Sequence, residues 1–202
     1  MRSALNLNAW RFYRYTDRQF PPYRHRLGKT PHPMRHRSGH MYGLPELEPP
    51  PFSKTGWKDS ESYLYGIDLF NFRYFWEAHE AWEGLWTQER ESKLNHEFLR
   101  GLIQTSAAML KREQQAWRGA ATLLDAGTKR LRWVASDHPQ HGGIPLLEWT
   151  GRLCESFCGI PQDWRIRLIG LEAARVQQDG SPESRPKSGP DRAPASSRRF
   201  VK

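Results

Sequence analysis

The residue types that could do chemistry concentrate in His79-Glu80-x-x-Glu83. On a helix His79 and Glu83 are four apart and Glu80 and Glu83 three apart, so all three project from one face. A neutral imidazole with two carboxylates is a partial shell for a divalent metal. Closely spaced carboxylates can also split their pKa values and serve as acid and base. Trp76 and Trp86 bracket the three on the same face, one turn away. Indoles are costly to leave in water beside a merely solvated charged surface, which is the competing reading. The zinc-protease signature does not fit, because it needs a second His where Glu83 stands.

These residues need a helix to hold them. Phe75, Ala78, Trp82 and Leu85 recur at spacings of 3, 4 and 3 and predict a helix from Asn71, as its cap, to about Trp86 or Gln88. Asp59 or Ser60 can cap a helix before it that reaches about Phe70. A third helix is expected from about Leu94 to Gln114, burying Phe98, Leu102, Met109 and Leu110. A fourth runs from Trp117 to about Val134, with Ala120, Leu124, Gly127, Leu131 and Val134 as its seam. Pro145 suits the first turn of a fifth, carrying Leu146, Trp149, Leu153 and Phe157, and Pro161 can open a last one through Trp164 and Leu168. No alternating strand pattern competes. The fold class is all-α, a compact antiparallel bundle of about five to six helices.

The run Leu69-Phe-Asn, Tyr74-Phe, Glu77-Ala-His-Glu-Ala-Trp-Glu83 and Leu85-Trp86 resembles the signature of the family called domain of unknown function 309. A second block follows in the same order as in that family: Phe98-Leu-Arg-Gly-Leu-Ile-Gln-Thr-Ser-Ala-Ala108, then Arg118-Gly-Ala120 and Leu123-Leu124. The resemblance covers about residues 60–134. It implies a small all-α domain whose biochemical activity is not established. Carried over residue by residue, the motif positions are His79, Glu80, Glu83 and Gln104, whose amide would face the carboxylates if the second and third helices pack face to face. Otherwise Gln104 is a buried amide bonded to a helix end. Two departures stand out. Lys111 occupies a place where many members have His; it cannot ligate metal when charged, though it could neutralise a carboxylate. Gln115-Ala116 stands where Gly-Asn is common. Phe20-Pro-Pro-Tyr23, Pro31-His-Pro33 and Gly39-His-Met-Tyr-Gly43 also resemble an N-terminal extension of some members. That makes His32 and His40 candidates to complete a site with His79; in Pro/Gly-rich loops the alternative is solvated His.

The 202-residue chain divides by charge. Residues 1–55 hold ten Lys/Arg against three Asp/Glu and eight of the fifteen prolines, a basic Pro/His-rich arm. Residues 56–175, the expected helical domain, are near neutral with fifteen against sixteen. Residues 176–202 are Ser-, Pro- and Arg-rich and are expected to be disordered; the first 20 are expected to be poorly ordered as well. No stretch approaches the roughly 18 apolar residues of a membrane helix. Two cysteines, Cys154 and Cys158, cannot build a disulfide framework and read as core thiols, pointing to a reducing, cytoplasmic home. His138 and His141 beside Gly142-Gly143 read as a flexible connector.

Three functions fit. The first is a site on His79, Glu80, Glu83 and Gln104 for a divalent metal ion or a small polar ligand. If catalytic, hydrolysis suits it best, with Glu80 as general base. The second is a non-enzymatic module whose arm, with Arg11-Phe-Tyr-Arg-Tyr15, Arg24-His-Arg26 and Arg35-His-Arg37, grips nucleic acid or an acidic partner. The third is a purely structural polar network fixing helix register.

Overall fold

The computed structural model describes residues 13–45, 48–171 and 174–175. A single helical turn, α1 (Phe52–Thr55), precedes α2 (Glu61–Asn71), α3 (Phe75–Gln88), α4 (Lys93–Glu113), α5 (Trp117–Asp137) and α6 (Leu146–Phe157). Two-residue strands β1 (Tyr13–Arg14) and β2 (Ala174–Arg175) pair antiparallel. Among the described residues the all-α bundle is therefore built from five helices of two or more turns. The closest packing is of α4 on α5, then α3 on α4 and α2 on α3. No helix among the described residues is long and apolar enough to cross a membrane.

The apolar stripes are the buried faces. Phe75, Ala78, Trp82 and Leu85 of α3 and Ala120, Leu124, Gly127, Leu131 and Val134 of α5 are all buried. Gly127 lets α5 lie against α4: a Cβ there would meet Thr105 Cγ2 at 2.9 Å and Gly101 O at 3.0 Å.

Asn71 does not cap α3; it is the last residue of α2, and Tyr74 precedes α3. The turn between them closes with Tyr74 N–H donating to Leu69 O (2.8 Å) and Arg73 N–H to Phe70 O (3.0 Å), with Arg73 left-handed at φ 70°. This is the Schellman pattern. The turn after α4 repeats it: Gln115 takes φ 60°, Ala116 N–H donates to Lys111 O and Gln115 N–H to Arg112 O. Gln115 thus adopts, at some cost, the conformation glycine takes without strain.

The helix expected from Pro161 does not form. Gly159, at φ 88°, ends α6, and the chain continues as an irregular segment. Side chains satisfy its backbone instead. Asn71 Oδ1 accepts from Ile166 N–H (2.7 Å) and Asn71 Nδ2 donates to Ile166 O (2.9 Å). Trp149 Nε1 donates to Trp164 O, and Tyr15 Oη accepts from Leu168 N–H. The cysteines are not core thiols either: Cys154 is half-buried, and Cys158, just past the end of α6, is exposed.

The N-terminal arm is irregular yet anchored, contrary to the disorder expected for residues 13–20; residues 1–12 and 176–202 lie outside the described residues. Buried Asp68 of α2 accepts from Tyr15 N–H (2.8 Å), Thr16 N–H (2.9 Å) and the Thr16 hydroxyl (2.8 Å). Phe20 packs against Tyr65, Phe72 and Tyr74. The arm is thereby laid along the start of α3.

Candidate metal and polar site on α3

Two groups of polar side chains flank each other on α3. The first is His79, Glu80 and Glu83, all half-buried. His79 Nδ1 lies 3.4 Å from Glu80 Oε1 and 3.7 Å from Glu83 Oε2. One ligand atom from each residue falls within 4.8 Å of the others, close enough to be drawn onto one ion. Nδ1 is buried and aligned with no hydrogen-bond partner. With its proton on Nδ1 the neutral ring presents an N–H to the two carboxylates; with its lone pair there, the three groups form a donor set for a divalent cation. Trp86 Nε1 is also buried without a partner, and its ring lies 4.8 Å from that of His96.

The second group joins the arm to the start of α3. Trp76 forms its wall, with the rings of His25, His32 and His40 at 5.7, 5.6 and 6.5 Å. Glu77, with a side chain only 3% exposed, takes a hydrogen bond from His25 N–H (2.8 Å) and meets His40 Nε2 (3.2 Å) through the same Oε1. Its Oε2 is buried without a partner. Burial raises the Glu77 pKa to about 7, helped by the charge of Glu80 one turn on and opposed by the His25 N–H. Burial lowers the His25 and His40 pKa values, and the neighbouring imidazoles add to this. The group therefore favours neutral imidazoles beside a carboxyl that keeps its proton up to about neutrality.

His32 and His40 thus gather around Trp76 and Glu77 rather than completing a shell with His79. The reason is the anchor at Phe20, which brings the arm in at the first turn of α3. Gln104 accepts from Arg130 Nε of α5 (3.1 Å), and Arg130 also pairs with Glu97. No hydrogen bond joins Gln104 to the α3 carboxylates among the described residues. Lys111 is exposed in the last turn of α4, where its charge complements the helix dipole, and it has no ion pair among the described residues. His141 is no flexible connector: its Nε2 bonds to Asn95 Oδ1 (2.8 Å), its ring packs on Phe98, and burial lowers its pKa to about 4.

Glu77 and His25 are the polar residues that motif reading passed over. Glu77 was visible inside the motif run, but only its partners 52 and 37 positions earlier mark it as buried and bonded.

The helices that carry this geometry also carry the likeness. Residues 63–123 match the family described as domain of unknown function (DUF309). The matched segment runs from α2 into α5 and includes the His79, Glu80 and Glu83 face together with Trp76 and Glu77. The arm's histidines lie outside the matched residues. No curated protein matches the chain.

Proposed function

We propose that the His79, Glu80 and Glu83 face of α3 holds a divalent cation and that the protein uses it in hydrolysis of a small polar substrate. The observation that carries the reading is the convergence of three ligand atoms around an unpartnered, buried His79 Nδ1. His79 and Glu83 anchor the cation, and Glu80 shares in holding it. When bound, the cation supplies an activated water and charge stabilisation. Glu80, through the carboxylate oxygen not held on the cation, would take the proton of that water, and Trp76 and Trp86 would limit access of bulk solvent to the face.

The test is hydrolysis of p-nitrophenyl phosphate and p-nitrophenyl acetate by protein loaded with Mn²⁺ or Zn²⁺. The expected result is a cation-dependent rate that falls at least 100-fold in a Glu80→Gln, Glu83→Gln variant, the scale of a lost general base. A rate unchanged in that variant removes the catalytic role. So does an absence of cation-dependent turnover on both substrates.

A second reading, a binding module that grips an anionic partner, is favoured by the cations of the arm at Arg24, Arg26 and Lys29, which have no ion-pair partner among the described residues.

A further inference from the structure

A concavity of about 530 Å³ opens where the arm crosses the turn between α2 and α3. Its lining is Tyr23, Arg24, Arg26, Lys29, Phe72 and Tyr74, with Thr30 beside them. Three cations and three aromatic rings share it, and no acid does. Among the described residues, neither guanidinium nor the Lys29 ammonium has a hydrogen-bond or ion-pair partner. Like charges gathered on one rim repel one another, and an anion would relieve that repulsion.

The loop that carries the cations is built rather than loose. Arg26 O accepts from Lys29 N–H and Thr30 N–H at 3.0 Å each, and the Thr30 hydroxyl accepts from Arg26 N–H at 2.8 Å. Gly28, at φ 72°, makes the tight reversal. The rings are equally held. The Tyr23 hydroxyl donates to Pro31 O and accepts from His40 N–H. Phe20 backs both Phe72 and Tyr74, with centroids 5.0 Å away in each case. An open concavity of this volume has room for a small organic ligand lying against its wall. Arginine forks match phosphate geometry, and aromatic faces stack planar bases.

We propose that this pocket binds a nucleoside phosphate, with Arg24, Arg26 and Lys29 on the phosphate and Tyr23, Phe72 or Tyr74 against the base. The ligand is either a free nucleotide or a nucleotide of a single strand, and the chemistry is shared. The site stands apart from the cation face of α3, so it survives or fails independently of the hydrolase reading.

The test is calorimetric titration of the full chain with AMP, adenosine, inorganic phosphate and a single-stranded RNA decamer. The parent is compared with Arg24→Ala, Lys29→Ala and with Phe72→Leu. The cationic residues are unpaired and Phe72→Leu keeps apolar volume, so both variants are expected to fold; circular dichroism checks this. AMP is expected to bind at least tenfold more tightly than adenosine or phosphate. Its affinity is expected to fall at least tenfold in the charge variant and several-fold in Phe72→Leu, and to weaken as salt rises from 50 to 200 mM. A decamer bound at least tenfold more tightly than AMP, with the same losses in both variants, assigns the nucleotide to a strand. The proposal is overturned if neither AMP nor the decamer binds, if binding is unchanged in the charge variant, or if phosphate alone binds as well as AMP.

Discussion

Glu77 and His79 are two residues apart on α3 and sit in different surroundings. His79 Nδ1 lies 3.4 and 3.7 Å from two carboxylates, while Glu77 is enclosed by the arm and keeps its proton up to about neutrality. The pH consequence of Glu77 has a definite sign. Its pKa in the fold, about 7, lies above the ordinary 4.5, so its stabilising contribution is complete below about pH 4.5 and is lost as pH rises to about 7. His141, lowered to about 4, acts in the opposite sense over nearly the same interval, and lowered His25 and His40 add to it. The parent's own profile therefore hides both. Glu77→Gln keeps an acceptor for His25 N–H and removes the ionisation. The stability of Glu77→Gln relative to the parent is expected to climb between pH 4.5 and 7 by on the order of 2–3 kcal/mol, from a shift of about 1.4 kcal/mol per pKa unit. Urea denaturation across that range measures it. A difference that stays flat with pH would show that Glu77 is not held protonated by the arm.

At the scale of elements, the packing of α4 on α5 depends on small residues. Gly127→Ala would press a methyl group against the Gly101 carbonyl oxygen and Thr105. Overpacking of this kind costs about 1–3 kcal/mol, against about 1 kcal/mol gained from helix propensity. Net destabilisation of up to about 2 kcal/mol is expected for Gly127→Ala. Gly119→Ala, on the exposed first turn of the same helix with nothing within 4 Å, is expected to be neutral or stabilising. Equal effects in the two would contradict the close approach. What could be read from sequence follows the range of the interaction. Stripes at spacings of 3 and 4 are local, and the buried faces of α3 and α5 coincide with them. The convergence of His79, Glu80 and Glu83 is legible for the same reason, being i, i+3 and i+4 geometry. The segment after Pro161 is not, because Asn71, 95 positions earlier, takes over the backbone of Ile166. Glu77 escaped notice on the same ground, since its burial is supplied by arm histidines far away in sequence.

Over the whole molecule, a near-neutral helical body carries a basic arm. The arm is held to α2 by Asp68 and to α3 by Glu77, two acids with pKa values raised chiefly by burial. It closes one end of the α3 polar face and gathers Arg24, Arg26 and Lys29 on one concavity. The claim on which the functional account rests is that α3 binds a divalent cation. Elemental mass spectrometry of the tag-free chain, dialysed to equilibrium against Mg²⁺, Mn²⁺ and Zn²⁺ in turn, tests it most directly beside a folded His79→Ala, Glu83→Ala variant. About one equivalent of a divalent metal in the parent, and less than a tenth of that in the variant, is the predicted result. Equal metal in both proteins, or none in the parent under any of the three ions, would contradict it.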